Sequence, residues 1–280
     1  MLRALLALAL VATACHSSTK PALDLGDSVD GDGFPVDMAA SMDLAANDLA
    51  GSDLGSGDFA PADLAPTYAH PTFVGGSYAE YTDVDTVTVA RPAGTTEGVV
   101  LLALVAGVNT VTTTEPNIDL PSGWSVLSSG HQPGGPPGLA VWLWRYATAS
   151  EPSTYTFTGS APLIAYVAAY AGTVSVGVNG PFDNPDSEVG STAVPATFPT
   201  INAVAHDELV VVQAWALDTN GMDGDWTQPS GYTTRNTNVI VSADVVAPNY
   251  GAPVAGGTSE FVADSRVVTF AVALRGIGGP

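Results

Sequence analysis

From Tyr68 onward, short runs rich in Val, Leu, Thr and aromatic residues alternate with turn-forming clusters. The pattern predicts strands at Thr86–Ala90, Val99–Val105, Leu139–Ala147, Tyr155–Thr158, Leu163–Tyr170, Val194–Phe198, Leu209–Leu217, Val239–Ala247 and Arg266–Leu274. Turns fall at Pro121-Ser122-Gly123, at Gly134-Gly135-Pro136-Pro137 and at Gly256-Gly257. No stretch combines sustained helical spacing with caps. Many strands and no helices predict an all-β, antiparallel β-sandwich.

The strand pattern occurs twice. Glu97-Gly98-Val99-Val100-Leu101-Leu102 is followed by Asp207-Glu208-Leu209-Val210-Val211-Val212, and Pro121-Ser122-Gly123-Trp124 by Pro229-Ser230-Gly231-Tyr232. Val141 aligns with Val241, and Ile164-Ala165-Tyr166-Val167-Ala168 with Val268-Thr269-Phe270-Ala271-Val272. The offset drifts between about 100 and 110 residues, and the drift falls in loops, where insertions cost little. Two duplicated halves, about 84–176 and 190–276, are therefore expected within a body spanning 67–280. Trp124, Arg145-Tyr146-Ala147-Thr148-Ala149-Ser150-Glu151-Pro152 and Tyr155-Thr156-Phe157 resemble a β-sandwich module of bacterial surface and phage tail proteins. The resemblance implies a jelly-roll-like fold and no catalytic residues.

Residues 15–66 have a different texture. Asp43, Asp48, Asp53, Asp58 and Asp63 recur every five residues, each followed by Leu or Phe. This is similar to pentapeptide-repeat proteins, yet five units make barely more than one solenoid coil. A segment of Asp, Ala, Gly, Ser and Pro buries too little apolar surface to repay its ordering entropy. It is read as a disordered tether with a reach of roughly 40 Å. Asp30-Gly31-Asp32-Gly33 starts like a calcium loop, but Phe34 and Ser41 stand where oxygen ligands should follow.

At the N-terminus, Arg3 precedes an apolar run from Ala4 to Val11, and Ala12-Thr13-Ala14 leads to Cys15, the single cysteine. A basic start, a short apolar stretch and small residues form a secretory signal, too short to span a bilayer. With the cysteine directly after the small residues, the segment resembles the lipobox of bacterial lipoproteins. The resemblance implies removal of residues 1–14, lipidation of Cys15 and stable membrane attachment through several acyl chains. His16, rather than an aspartate, follows the cysteine, so the outer membrane is the expected location, with the head at the cell surface or the periplasmic face.

The net charge of −21 changes the picture of partners. No basic patch is available to neutralise phosphates, which excludes nucleic acid as the expected partner. The anchor, not the surface, would hold the membrane. No cofactor is expected.

Chemistry is sparse. Gly172-Thr173-Val174-Ser175-Val176-Gly177 has the wrong spacing for a nucleophile elbow. His16, His70, His131 and His206 stand singly, without metal-ligand spacing. A glycosidase would need two converging carboxylates, with candidates among Asp183, Asp186, Glu188, Asp223 and Asp225. Asp218, Asn220, Asp223 and Asp225 have oxygens enough for a candidate calcium loop. The aromatic strand offers a binding surface instead. Alternation puts Leu139, Val141 and Leu143 on one face, and Trp142, Trp144 and Tyr146 on the other. The second copy keeps the first face apolar at Val239, Val241 and Ala243, but carries Ser242, Asp244 and Val246 on the other. A shared core should be apolar in both copies, so the Trp142 face is expected to point outward. There it is either capped by the segment around Tyr78 and Tyr81 or by Gly134–Gly138, or left open to stack on sugars. Trp215 and Trp226 are expected in packing roles. The sequence thus suggests a non-catalytic surface lipoprotein binding a glycan or protein partner through Trp142, Trp144 and Tyr146. A purely structural envelope protein and a glycoside hydrolase are the alternatives.

Overall fold

The chain divides into two units, Met1–Ala60 and Pro61–Pro280. The structure is a computed structural model. It describes residues 69–277 apart from 81–84, 133–134, 175–179, 184–187, 194–195, 205–207, 218–227, 248–252, 255–257 and 260–265. Cys15 and the repeats at Asp43 to Asp63 lie outside the described residues, as do Tyr81, Trp226 and the loop carrying Asp218, Asn220, Asp223 and Asp225.

Every described element is a strand. The first half contains β1 (Thr72–Ala79), β2 (Thr86–Ala90), β3 (Val100–Val108), β4 (Ile118–Asp119), β5 (Ser125–His131), β6 (Gly138–Tyr146), β7 (Thr154–Gly159) and β8 (Leu163–Ala171). The second contains β9 (Glu188–Ala193), β10 (Ala196–Thr197), β11 (Ile201–Asn202), β12 (Leu209–Leu217), β13 (Thr233–Thr237), β14 (Ile240–Val246), β15 (Pro253–Val254), β16 (Thr258–Ser259) and β17 (Arg266–Leu274). All pairings are antiparallel. Two five-stranded sheets dominate, ordered β1-β8-β3-β6-β5 and β13-β14-β12-β17-β9. Counted in chain order within each half, both sheets have the same sequence of neighbours. Small sheets lie beside them: β2-β7-β4 in the first half, β10-β16 and β11-β15 in the second.

The side chains pack these sheets into a β-sandwich. Leu101, Ala103, Val105, Val141, Leu143, Val167 and Ala169 pack with Val87, Val89, Tyr155 and Phe157 of the small sheet. On the opposite face, Leu102, Leu104, Trp142, Tyr166 and Tyr170 pack with Val211, Trp215, Ile240, Phe270 and Val272 of the second large sheet. That second sheet buries Val210, Val212, Val241, Ala243 and Ala271 under Phe198, Ile201, Tyr232 and Val254. Both large sheets are therefore covered on both faces, and the seam between them is the central core. At Gly138 a Cβ would come within 2.7 Å of the Trp215 ring, so the two halves meet there only because no side chain intervenes.

The recurring Pro-Ser-Gly turns share one geometry. Gly123 and Gly231 have φ of 81° and 86°, in the left-handed region that glycine enters without strain. Trp124 N donates to Pro121 O, and Tyr232 N to Pro229 O, each at 3.2 Å. Each turn feeds an edge strand that carries a bulge, with Leu127 as the extra residue in β5 and Arg235 in β13. Bulges at edges twist the strand, blunt the free edge and re-aim a side chain. Ala69 pairs with Ile277, so the described chain starts and ends side by side.

Candidate functional site

The aromatic strand β6 alternates as the sequence predicts, but the Trp142 face points inward. Trp142 is 0% exposed and meets Phe270 at a ring-centroid distance of 5.6 Å. The second large sheet covers it, and Tyr78 packs on the same cluster. The outward expectation assumed that Ser242 and Asp244 must face water. They are buried in the seam, because the Asp244 charge finds a partner there. Trp144 is half-buried, edge-to-face with Phe182 at 5.0 Å and with Tyr146 at 5.6 Å. The Tyr146 hydroxyl donates to Val174 O at 2.7 Å. Trp142, Trp144 and Tyr146 thus share one face, and contacts within the protein occupy them.

The motif after β6 makes a corner. The Glu151 carboxylate accepts from Thr148 N at 2.7 Å, from Thr148 Oγ1 at 3.0 Å and from Arg145 Nη2 at 3.3 Å. Arg91 donates to Glu151 O at 2.8 Å, and Arg145 lies over Trp124, which packs edge-on against Tyr155 and Phe157. These groups hold a turn.

Of the carboxylates considered for hydrolysis, only the side chain of Asp183 is described. It pairs with Arg275 Nε at 2.7 Å. Burial raises its pKa, and Arg275 opposes the rise. Asp186, Asp223 and Asp225 lie outside the described residues, as does the side chain of Glu188. His131 pairs with Glu115 at the exposed end of β5. Among the described residues no group of three or more His, Cys, Asp or Glu could hold a metal ion.

An open pocket of about 530 Å³ forms where β1 meets β13 and β14. Its central feature is Arg235, the bulged residue of β13. Nε and Nη2 of Arg235 donate to Oδ2 and Oδ1 of Asp244 at 2.7 and 2.8 Å, a bidentate pair. The Asp244 side chain is 3% exposed and that of Arg235 is 26% exposed. Hydrogen bonding to Asp244 raises the Arg235 pKa still further, so the guanidinium stays charged. Its plane lies over Phe73 at 4.6 Å, and Phe73 packs edge-on against Tyr170. Leu209 and Val246 supply apolar surface, and His70, Thr72 and Thr233 bring polar groups to the wall.

Behind Asp244 the seam is unusually polar. Gln213 Nε2 lies 3.4 Å from Ser242 Oγ. The hydroxyls of Tyr166 and Tyr170 sit toward Ser242 and Asp244 without closing a full hydrogen bond to either. Burial raises both tyrosine pKa values. A Cβ at Gly76 would lie 2.4 Å from the Tyr166 hydroxyl, so glycine lets β1 cross the ring.

Comparisons with protein-family models, with curated proteins and with solved structures found no match. The pocket residues therefore stand on their geometry alone. Sequence reasoning missed Phe73 and Arg235, because each lies on an edge strand without an apolar run. A signal was present at Asp244, an acid where the first half carries Trp144.

Proposed function

We propose that this protein is a non-catalytic lipoprotein, anchored at the outer membrane through acylated Cys15, whose β-sandwich head binds a ligand non-covalently. The tether of residues 15–66 would hold the head off the membrane. The head is read as a duplication of one jelly-roll-like module. The shared strand order, the matched Pro-Ser-Gly turns and the matched bulges support that reading.

One observation carries the binding role. At matching bulges the first half has Leu127, packed on the central core, while the second has Arg235 paired to Asp244 in an open pocket. A buried ion pair is a poor substitute for apolar packing if stability is the only requirement. Binding sites, by contrast, are concave, largely apolar and carry a few fixed polar groups. The buried Trp142 gives the purely structural alternative its own support, since it withdraws the aromatic platform as the binding surface. The pocket keeps the binding reading ahead.

The test has two arms. Mass spectrometry of the membrane-extracted protein should find the thiol of Cys15 acylated, and Cys15→Ser should release the protein from the outer-membrane fraction. Labelled protein should bind whole cells or envelope material, and Arg235→Met should reduce that binding. An unmodified Cys15 would refute the anchor; binding unchanged in the variant would refute the pocket.

A further inference from the structure

We propose that the Arg235–Asp244 pocket binds an uncharged sugar residue of a glycan; this deepens the binding role above and rests on it. Charge does the first selection. Arg235 and Asp244 neutralise one another at 2.7 and 2.8 Å, so the pocket offers no net charge to an anion. A chain of net charge −21 repels one before it arrives. A cation drawn in by that field would meet the guanidinium. The ligand that encounters neither penalty is neutral.

The remaining hydrogen-bonding capacity selects next. Nη1 of Arg235 is not engaged by Asp244, and Arg235 is the more exposed member of the pair, at 26% against 3%. A guanidinium donor therefore faces the pocket, with the hydroxyl-bearing Thr72 and Thr233 on its wall. Two adjacent hydroxyls on a sugar ring match that lining, one accepting from the guanidinium and its neighbour exchanging a hydrogen bond with a threonine hydroxyl. The exposed Thr72 and Thr233 add donors and acceptors on the wall. The 41%-exposed Val246, with Leu209, gives the C–H face of a ring an apolar surface. A volume of about 530 Å³ lies within the range of roughly 300–1,000 Å³ usual for small-ligand pockets. The bulge fixes the position of Arg235, and the ring of Phe73 supports its plane, so little side-chain entropy is lost on binding.

The experiment uses the full chain on an array of neutral, acidic and amine-bearing glycans, followed by calorimetry with the best neutral oligosaccharide. Neutral glycans should bind. Arg235→Met should weaken binding by at least about tenfold, and the solvent-facing Thr233→Val by about three- to tenfold, each having lost hydrogen bonds to the ligand. Thr233→Val should melt with the unaltered protein, which keeps the test valid if Arg235→Met unfolds the head. Preference for acidic glycans, or neutral binding unchanged in both variants, would overturn the proposal. Whole-cell binding that survives periodate oxidation of the cell's sugars but is lost in Arg235→Met would overturn the sugar and leave the binding role intact. No binding to arrays or cells would overturn both.

Discussion

The two ends of the seam between the large sheets share a strand order and a bulged edge strand and are finished differently. At one end the bulged Leu127 packs on the central core, as does Trp144, whose ring packs edge-to-face on Phe182. At the other an equivalent bulge places Arg235 on Asp244, over Phe73, with a pocket in front. Apolar burial at the first end is favourable at about 25 cal/mol per Å². The ion pair at the second must first recover the cost of desolvating two charges. The difference teaches that packing needs do not account for the charged end, which supports the proposed binding role.

The largest effect should come from what the two ends share. Trp142 lies between them, fully buried against Phe270 of the opposite sheet. Trp142→Ala should destabilise the head by about 3–5 kcal/mol, the usual cost of a large-to-small change in a core. Because the ring belongs to both halves, urea unfolding followed by fluorescence and by circular dichroism should give one coincident transition, shifted to lower urea. Two separated transitions would mean that the halves fold independently and that the seam is not a common core.

A smaller effect, and a sharper one for the comparison, follows from exchanging the ends. Asp244→Ala leaves Arg235 without its partner and should cost about 3 kcal/mol, near the lower bound for breaking a buried pair, since Arg235 is 26% exposed. Arg235→Leu combined with Asp244→Trp copies the first end onto the second. That double variant should recover most of the stability, as charge-to-apolar replacements of buried pairs commonly do. It should also close the pocket and abolish ligand binding. A double variant as unstable as Asp244→Ala would show that the two ends are not structurally equivalent.

The contrast between ends also explains what the sequence could disclose. The ranges for β2, β12 and β17 were legible to the residue, and β3, β6, β8 and β14 to within a few residues. Strands buried on both faces leave continuous apolar runs, which the eye finds. The four edge strands of the large sheets were not legible, whereas β2, an edge strand of a small sheet, is legible through its alternating burial. TFVGGSYA, SVLSSGH, EVGSTA and TTRNT mix Gly, Ser, Thr and Asn, because one side of each has no neighbouring strand. Phe73 and Arg235 sit on two of those strands, so the candidate site was hidden for the same reason. The orientation of Trp142 was misread by the assumption that polar means outward. Ser242 and Asp244 are polar and buried; the pairing with Arg235, distant in pattern though not in sequence, makes the Asp244 charge tolerable, and Gln213 lies against Ser242.

The smallest effect at neutral pH belongs to the tyrosines behind Asp244. Neither the Tyr166 nor the Tyr170 hydroxyl closes a full hydrogen bond, so removing it relieves a buried polar group rather than breaking a pair. Tyr166→Phe and Tyr170→Phe should therefore change stability at pH 7 by less than about 1 kcal/mol, or raise it slightly. Alkaline pH separates them from the unaltered protein. Burial raises Tyr166 and Tyr170 above the ordinary value of 10.0, and burial with the nearby Glu80 raises Tyr78 to about 12. A folded-state pKa above the unfolded one means that the folded protein holds its protons more tightly. That contribution is complete below pH 10 and is lost as the pH climbs through the folded values. Urea midpoints should thus fall steeply above pH 10, and each Phe variant should flatten the decline, because a phenyl ring has no proton to lose. A decline equally steep in both variants would place the seam tyrosines in water and remove the buried polar end from the comparison.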